Sequence, residues 1–343
     1  MKTAVVTGGL GFIGSNLIKI LSNKGYFIIN IDKVSYASNF KNIPENIKNY
    51  KFYRLNINNQ KKVFEILNKY KPEIVFNLAA ETHVDKSIDG PKEFINSNIL
   101  GVFNLLEVIR NYMKKNLIRF IHISTDEVYG DIINKTNSKE GDPYNPSSPY
   151  AASKASSDHL VNSYIRTYKI PGIITNCCNN FGPNQYPEKL IPRIIYNIIN
   201  KKEIPIYGNG KNIREWIYVD DHCDGLIKVA EKGTIGENYN IGSGFIFNNI
   251  ELTKRIILIY KKINQKIKYN FKIKFIKDRP GHDLKYSLNS NKMKKKLIWN
   301  CKYSFSLGIE QTIRWYIKNL NNNYFENQGY KKRIGLKIWL KKE

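Results

Sequence analysis

MKTAVVTGGLGFIGSNLIKIL, residues 1–21, is the stretch that decides the fold of this chain. A short apolar run breaks into three glycines, Gly8, Gly11 and Gly14, and then resumes with helical spacing. The next apolar run, IINIDK, carries Asp32. This order of strand, glycine turn, helix, strand and acidic residue is typical of a βαβ unit that binds a dinucleotide. The sequence therefore predicts a redox cofactor at the start of the chain.

Each part of this motif has a physical role. Gly8 permits the tight turn that follows the strand, and Gly11 lets backbone amides approach a pyrophosphate. Gly14 lets the helix lie close to the sheet, and the helix N-terminus adds unpaired amides and a positive dipole end. Asp32 is expected to accept hydrogen bonds from the adenosine ribose and to repel a 2′-phosphate. This arrangement favours NAD over NADP.

Length and composition point to a globular protein. The 343 residues, 42% of them hydrophobic, suit one large α/β unit or two joined ones. No apolar stretch reaches membrane-spanning length, and the N-terminus runs straight into the glycine turn, so we expect a soluble protein. The cysteines show no CxxC pair and no metal-ligand spacing, which favours free thiols, a cytoplasmic location and no bound metal. They are Cys177, Cys178, Cys223 and Cys301.

The formal charge of +26 raises a nucleic-acid-binding protein as an alternative. Lysines are spread through most of the chain, however, alongside abundant Asn and Ile, and this favours a compositional bias over a nucleic-acid site. The stretch KKRIGLKIWLKKE, residues 331–343, is the exception. We interpret it as a solvated basic amphipathic end, with weak contact to an anionic surface as the alternative.

Strand and helix signals alternate after the glycine motif. KPEIVFNLAA, residues 71–80, predicts a buried strand, and RFIHISTDEVYG, residues 119–130, predicts another strand that ends in polar residues. Alternation of this kind predicts an α/β fold, a Rossmann-type doubly wound parallel sheet. Because such sheets bind ligands at the carboxyl ends of their strands, residues 81–85 and 125–127 should face the cofactor crevice. Between these strands, one helical face should carry Ile95, Ile99, Val102, Leu106 and Ile109.

The composition of the chain changes after about residue 180, where loops rich in Gly, Pro and Asn appear. We predict an NAD-binding Rossmann domain over residues 1–180, to which later segments return. Residues 181–320 form mainly a smaller α/β substrate-binding region, and residues 321–343 a basic tail.

SPYAASKAS carries Tyr150 and Lys154, whose spacing of four puts both side chains on one face of a helix. A neighbouring ammonium favours the phenolate that a tyrosine needs to act as a base. Thr125 ends an intervening strand and adds a hydroxyl. A YxxxK pair alone is more often a solvated surface pair, but its combination with the glycine turn makes chance a poor explanation.

The chain resembles the extended short-chain dehydrogenase/reductase family through five motifs. In the order in which they occur, these are TGGLGFIG, LAAETHVD, STDEVYG, YAASK and NNFGP. Within that family the chain is most similar to the dTDP-glucose 4,6-dehydratase branch, through Asp126 and Glu127 and through ETHVDKSIDGP, PEKLIP and DRPGHD. The resemblance extends to about residue 316. It implies NAD, a nucleoside diphosphate sugar such as dTDP-glucose, a homodimer and a place in deoxysugar biosynthesis of the rhamnose type.

Chemistry supports this branch. Oxidation of a sugar hydroxyl needs one base, Tyr150 helped by Thr125, whereas loss of water needs a further base and an acid. By similarity to the family, Glu127 takes the C5 proton after oxidation at C4, Asp126 protonates the departing C6 hydroxyl, and the hydride returns to C6. A capping or salt-bridged pair at a strand end is the alternative role of these two carboxyls.

A pyrophosphate calls for cations, and Arg214 and Arg279 are the best candidates. Structural salt bridges are the alternative, with Asp220 or Asp221 as a partner of Arg214. For the substrate, the resemblance also implies contacts from Thr82, His83, Asn179, Lys189, Leu190, Pro205, Tyr207, Asn249 and His282. For the cofactor it implies Phe12, Ile13, Lys33, Ser35, Ile57, Leu78, Ala80, Ser97, Tyr150, Lys154, Asn180 and Asn56, which stands where the family usually has an aspartate.

Two other functions compete with this interpretation. A nucleotide-sugar epimerase, decarboxylase or other dehydratase of the same superfamily would share the cofactor and the tyrosine, so Asp126 is the residue that discriminates. A basic nucleic-acid-binding protein with a Rossmann core would have no reason to keep Thr125, Glu127, Tyr150 and Lys154 as well.

Overall fold

The computed structural model of the chain describes residues 1–132, 136–265 and 269–320. The strands within these ranges are β1 Thr3–Thr7, β2 Phe27–Asp32, β3 Tyr50–Arg54, β4 Ile74–Asn77, β5 Arg119–Thr125, β6 Gly172–Cys177, β7 Asn179–Phe181, β8 Ile204–Tyr207, β9 Ile213–Tyr218, β10 Asn238–Ile241, β11 Ile246–Asn248 and β12 Ile273–Ile276.

The α-helices in the same ranges are α1 Phe12–Asn23, α2 Gln60–Tyr70, α3 Val84–Asp89, α4 Lys92–Phe94, α5 Gly101–Tyr112, α6 Pro149–Tyr168, α7 Leu190–Ile199, α8 Val219–Lys232, α9 Asn249–Ile263, α10 Asn291–Leu297 and α11 Phe305–Leu320. A π-helical segment, Ile95–Leu100, joins α4 to α5, and 3-10 turns occupy Phe40–Asn42 and Asp126–Tyr129. No helix among the described residues is long and apolar enough to cross a membrane.

Seven parallel strands form the main sheet in the order β10-β6-β5-β4-β1-β2-β3. The chain moves outward in opposite directions from β1 and β4, so the strand order reverses between them and opens a crevice at their carboxyl ends. This sheet, covered by helices, confirms the predicted doubly wound α/β fold. It also explains why the glycine turn and the catalytic segments, which are far apart in sequence, meet at one edge of the sheet.

Both faces of the main sheet are buried. Val5 and Val6, neighbours on β1, belong to two different apolar clusters because successive strand residues point to opposite faces. Such two-sided burial accounts for the nearly continuous apolar runs in the strand sequences.

A third apolar cluster forms away from the main sheet, where Trp216 on β9 packs with Ile194 on α7 and Ile309 on α11. Two small sheets, β11-β9-β7 and β12-β8, accompany it. Strand β10 returns to the edge of the main sheet. The division of the chain at about residue 180 stays a proposal, and the segment predicted as a basic tail lies outside the described residues.

Two predicted elements are shorter than expected. The strand expected over residues 71–80 is β4, Ile74–Asn77, and the one expected over residues 119–130 ends at Thr125 and continues into a 3-10 turn. At the turn, the Thr125 hydroxyl accepts a hydrogen bond from the Glu127 amide at 3.3 Å, a capping bond that ends the strand and begins the turn.

The predicted apolar helix face was wrong at its start. Val102, Leu106 and Ile109 are buried as expected, but Ile95 is 48% exposed. The π-helical segment from Ile95 to Leu100 inserts extra backbone per turn, so residues before it are rotated away from the face that follows.

Candidate active site

A cavity of about 280 Å³ opens at the carboxyl edge of the main sheet. The glycine turn forms one wall. Gly8 has φ +69, which favours glycine, and a side chain on Gly14 would place its Cβ 2.4 Å from the Gly8 carbonyl oxygen. Asp32 holds the same turn, since its carboxylate accepts the Leu10 amide at 3.0 Å and the Val34 amide at 2.7 Å. The narrow cradle is therefore built by backbone, with no room for side chains.

The residues predicted to hold the cofactor all line this one cavity. They lie on seven separate stretches of the chain and include both catalytic-helix residues. They are Gly8, Gly11, Phe12, Ile13, Gly14, Asp32, Lys33, Ser35, Asn56, Ile57, Leu78, Ala80, Ser97, Tyr150, Lys154 and Asn180.

Thr125, Asp126 and Glu127 follow the end of β5 and line the same cavity. The Thr125 hydroxyl donates to Asp126 Oδ1 at 3.1 Å, while Asp126 Oδ2 is buried and finds no hydrogen-bond partner in the described part of the chain. Across from them, α6 carries Tyr150 and Lys154 one turn apart. Ser148 caps the start of this helix, and its hydroxyl accepts a hydrogen bond from the Ala151 amide. The five predicted catalytic residues are thus brought together at one edge of the cavity.

Burial raises the pKa of both carboxyls, but the charges that surround the two groups differ. For Asp126 the pKa is raised well above its ordinary range, first by burial and then by the negative charge of Glu127. For Glu127 burial also raises the pKa, and the cations Arg279, Arg214 and Lys189 oppose the rise. Two adjacent carboxyls in different surroundings suit an acid and a base. Asp126 is the one that keeps its proton, and its free Oδ2 is available to donate it.

The surroundings of Tyr150 favour its neutral phenol over the phenolate. Burial and the charge of Glu127 raise its pKa well above the ordinary value, and only its hydrogen bond with Thr125 acts in the other direction among the main influences. Lys154 donates from Nζ to the Ile123 carbonyl at 2.8 Å. Burial lowers the pKa of Lys154, and the charge of Asp158 raises it.

Arg279 and Tyr207 meet on one carboxylate. Arg279 Nη1 lies 3.0 Å from Asp85 Oδ1, and the Tyr207 hydroxyl donates to Asp85 Oδ2 at 2.8 Å. His282 packs edge-on against Tyr207, with ring centroids 6.2 Å apart. The salt-bridge alternative therefore holds for Arg279, yet its buried Nε has no partner among the described residues and stays available to a ligand.

Arg214 makes no salt bridge with Asp220 or Asp221 in the described part of the chain, so that suggested partnership was wrong. Its guanidinium donates to the carbonyls of Ile213 and Asp283, at 2.7 and 2.9 Å. Asp221 instead accepts the amides that follow α10, at residues 302 and 303. The charge that Arg214 carries acts on Glu127, whose pKa it lowers.

The other predicted substrate residues divide into two groups. Thr82, Asn179 and Lys189 line the cavity, and Lys189 Nζ donates to the Thr82 carbonyl at 2.7 Å. Another group lies outside the cavity lining: His83, Leu190, Pro205, Tyr207, Arg214, Asn249, Arg279 and His282.

The roles of three residues of this region were not predicted from the sequence. Asp85 pairs with Arg279, Glu188 lines the cavity and accepts the Tyr36 hydroxyl at 3.0 Å, and Cys177 lines the cavity as a buried thiol. Asp85 and Glu188 do stand within ETHVD and PEKLIP. Their roles were missed because the pairing partners are far away in sequence.

Comparison with known proteins agrees with this geometry. The sequence profile described as GDP-mannose 4,6 dehydratase matches residues 5–312. A dTDP-glucose 4,6-dehydratase of Haemophilus influenzae is 45% identical over 338 residues, which cover 94% of this chain and 100% of that protein. The chain belongs to the dTDP-glucose 4,6-dehydratase family.

Solved structures of this dehydratase family have the same fold. The enzyme of Bacillus anthracis, in complex with NAD, is 38% identical with a TM-score of 0.84, and the match covers 94% of this chain and 98% of that one. The enzyme of Streptomyces venezuelae, with NAD bound, is 37% identical with a TM-score of 0.86, over 93% of this chain and 98% of that one.

Proposed function

We propose that this protein is an NAD-dependent hydro-lyase, a dTDP-glucose 4,6-dehydratase. It converts dTDP-glucose into dTDP-4-keto-6-deoxyglucose and water. One observation carries the proposal: two adjacent carboxyls, the buried Asp126 and the half-buried Glu127, share a cavity with Tyr150 and a glycine turn. An epimerase or a plain dehydrogenase has no use for an extra acid and an extra base beside its tyrosine.

The residues present fit NAD. The glycine turn packs so closely on α1 that a Cβ on Gly14 would clash with the Gly8 carbonyl oxygen, which leaves the cavity wall here to backbone. Asp32 lines the cavity at the end of β2, where a 2′-phosphate would be repelled. Lys33 also lines this end, but Glu81 pairs with it at 2.9 Å and offsets its charge. When bound, NAD⁺ supplies the hydride acceptor and a positively charged ring.

Oxidation at C4 is assigned to Tyr150 and Thr125. The phenol has to accept the proton of the C4 hydroxyl, and its raised pKa makes it a strong base once ionised but costly to ionise. Its hydrogen bond with Thr125 and the nearby Lys154 ammonium favour the ionised form. Both supports belong to the cavity wall and are in place before the substrate arrives.

Elimination is assigned to the carboxyl pair. Glu127 takes the proton at C5; burial raises the pKa of this carboxyl, and the cations Arg279 and Arg214 oppose the rise. Asp126, protonated because of burial and the adjacent Glu127, gives its proton to the departing C6 hydroxyl. Atoms balance, since the C6 hydroxyl leaves as water with the Asp126 proton, and Glu127 returns its proton to C5 when hydride returns to C6. The proton that Tyr150 took from the C4 hydroxyl replaces the one that Asp126 gave up.

The nucleoside diphosphate is assigned to the basic side of the site. Arg279, with a free buried Nε, and Lys189, on the cavity wall, offer positive charge to a pyrophosphate. Thymidine as the base is supported by the named relatives.

We also propose a cytoplasmic homodimer in deoxysugar biosynthesis of the rhamnose type. All four cysteines are unpaired, which suits a reducing compartment. Apolar side chains exposed on the π-helical segment and α5, Leu100 and Phe103, offer a surface to a second copy.

A product assay tests the activity. Purified protein incubated with dTDP-glucose should give a 4-keto-6-deoxy sugar, identified by NMR, with no net NADH. UDP-glucose and GDP-mannose serve as matched substrates. Formation of a 4-epimer alone, or turnover of another sugar nucleotide without dTDP-glucose, would contradict the proposal. Tight, salt-sensitive binding of duplex DNA without turnover would favour the nucleic-acid alternative.

A further inference from the structure

Asp158 lies on the catalytic helix, one turn after Lys154. Spacing of four residues puts both side chains on one face of α6. Both are withdrawn from water, since Asp158 is 0% and Lys154 4% exposed. Lys154 lines the cavity, whereas Asp158 lies behind it. A charged group at such a depth is costly unless another charge or several hydrogen bonds compensate it.

Hydrogen bonds surround the Asp158 carboxylate. Its Oδ2 accepts from the Ser124 hydroxyl at 2.7 Å and from the Tyr144 hydroxyl at 3.0 Å, with Asn176 Nδ2 at 3.4 Å. Its Oδ1 lies 3.3 Å from His122 Nε2 and has no hydrogen bond of good geometry. These partners come from β5, β6 and the loop before α6, so the main sheet and the loop hold the carboxylate in place.

The donors around Asp158 bring no positive charge. Burial, and next the Lys154 ammonium, lower the pKa of His122, so this imidazole is neutral at neutral pH. Burial raises the pKa of Tyr144 far beyond the ordinary value, and the hydroxyl keeps its proton. Lys154, one turn earlier on the same face of α6 in the described part of the chain, is a buried cation.

The charge of Asp158 in turn favours the protonated form of Lys154. Burial lowers its pKa, and Asp158 is the largest influence that raises it. Cys177, which faces the ammonium from β6, has its pKa raised to about 12 by burial and is a neutral thiol. Asp126 faces this thiol from the turn after β5 and keeps its proton, and Tyr129 on the same turn is a neutral phenol. Asp158 is thus the carboxylate that balances Lys154 within the described part of the chain.

We propose that Asp158 is a positioning residue whose carboxylate is the buried counter-charge that keeps Lys154 an ammonium beside Tyr150. The inference rests on the proposed function for the role of Tyr150. Lys154 alone, without a partner, would release its proton in the apolar interior and stop favouring the phenolate. The support for the tyrosine thus extends one helical turn beyond the YxxxK pair, into the core.

A double-mutant cycle tests the charge pairing without reference to activity. Asp158→Asn should lower Tm clearly in the wild-type background and by less than half as much in a Lys154→Met background, where no ammonium is left unpaired. Equal shifts in the two backgrounds overturn the proposal. This result stands whether or not dTDP-glucose proves to be the substrate, so its failure is distinct from failure of the proposed function.

The pH dependence of C4 oxidation tests the catalytic consequence. dTDP-xylose lacks C6, so it isolates hydride transfer from elimination, and the reduced nicotinamide reports the rate. Asp158→Asn should slow this step about tenfold to a hundredfold. It should also move the alkaline limb of the pH–rate profile to lower pH by about one unit, because the Lys154 ammonium loses its proton more readily. KM should change little.

Two further variants make this test specific. Ser124→Ala removes one hydrogen bond to the same carboxylate but keeps its charge, so its alkaline limb should stay at the wild-type position. Asp158→Glu keeps the charge and should retain that limb at a several-fold lower rate, and it carries the test if Asp158→Asn does not fold. An unmoved limb in a folded Asp158→Asn protein, or a limb moved equally by Asp158→Glu, overturns the proposal.

Discussion

At the scale of single residues, the reaction depends on a difference between two adjacent carboxyls. Asp126 keeps a proton because burial and Glu127 raise its pKa, whereas three cations oppose the rise at Glu127. We expect Asp126→Asn to slow loss of water about a hundredfold or more while oxidation at C4 survives, because the amide cannot protonate the leaving hydroxyl. Accumulated reduced nicotinamide and slowed product formation would be followed together after mixing with dTDP-glucose.

Glu127→Gln is the matched variant, because it changes the neighbouring carboxyl by the same single substitution. It should suppress exchange of the C5 proton with deuterated water, measured by NMR of the sugar, by about a hundredfold. Equal loss of C4 oxidation in both variants would show that the two carboxyls do not divide the work as proposed.

The raised pKa of Asp126 also makes stability depend on pH. The folded protein retains a proton there that the unfolded chain releases near the ordinary carboxyl pKa, so this contribution to stability is lost as pH rises toward the folded value. Asparagine does not ionise and escapes the loss. We expect the Tm of Asp126→Asn to exceed that of the wild type by an increment that grows as pH rises above about 4, the ordinary pKa of a carboxyl.

Scanning calorimetry at several pH values would measure this increment. Glu93→Gln, a change at an exposed carboxylate on α4, serves as the control and should give an increment that does not grow with pH. If Asp126→Asn and the control behave alike, Asp126 is not the protonated acid of the site.

At the scale of elements, the glycine turn and α1 form one unit. A Cβ on Gly14 would lie 2.4 Å from the Gly8 carbonyl oxygen and 2.8 Å from the Gly9 Cα, both of them backbone atoms that cannot rotate away. We expect Gly14→Ala to cost about 1–3 kcal/mol of the free energy of unfolding, as overpacking usually does, and to abolish bound NAD. Urea unfolding and the cofactor content of purified protein would check this.

Gly141→Ala is the matched control for that change. A Cβ there meets nothing within 4 Å. Its stability and cofactor content should equal those of the wild type. A Gly14→Ala protein that keeps NAD and full stability would mean that α1 can move away from the turn, contrary to the close packing described above.

Local patterns predicted the elements well where one residue type has one physical role. The glycine spacing, the acid after β2 and the YxxxK pair each correspond to a fixed geometry in the structure. The register of the helix after residue 94 could not be predicted, because a π-helical segment leaves no mark in apolar spacing that distinguishes it from an α-turn.

Pairings between residues that are distant in sequence could not be predicted from the sequence either. The contact of Arg279 with Asp85 spans 194 positions, and that of Asp158 with Ser124 joins a helix to a strand. A carboxylate four residues after a lysine is usually a solvated helix pair. Only the burial of both side chains, a property of the folded molecule, makes Asp158 part of the site.

At the scale of the whole molecule, α5 and α6 present a face that is available for self-association. Leu100 is 45%, Phe103 38% and Tyr168 41% exposed, and these side chains lie on helices that pack against each other. A second copy with the same face would bury them by two-fold symmetry, the commonest arrangement of soluble oligomers. Because α6 also carries Tyr150 and Lys154, the catalytic helix would lie beside this interface.

We expect Phe103→Glu to convert the protein from a dimer to a monomer in sedimentation equilibrium, because it places a charge within an apolar contact. Leu258→Glu is the control, since Leu258 on α9 is 61% exposed and belongs to a different helix. That variant should remain dimeric. A monomeric wild type, or dimers in both variants, would exclude the α5 and α6 face as the interface. Loss of dimer in the control alone would instead point to α9.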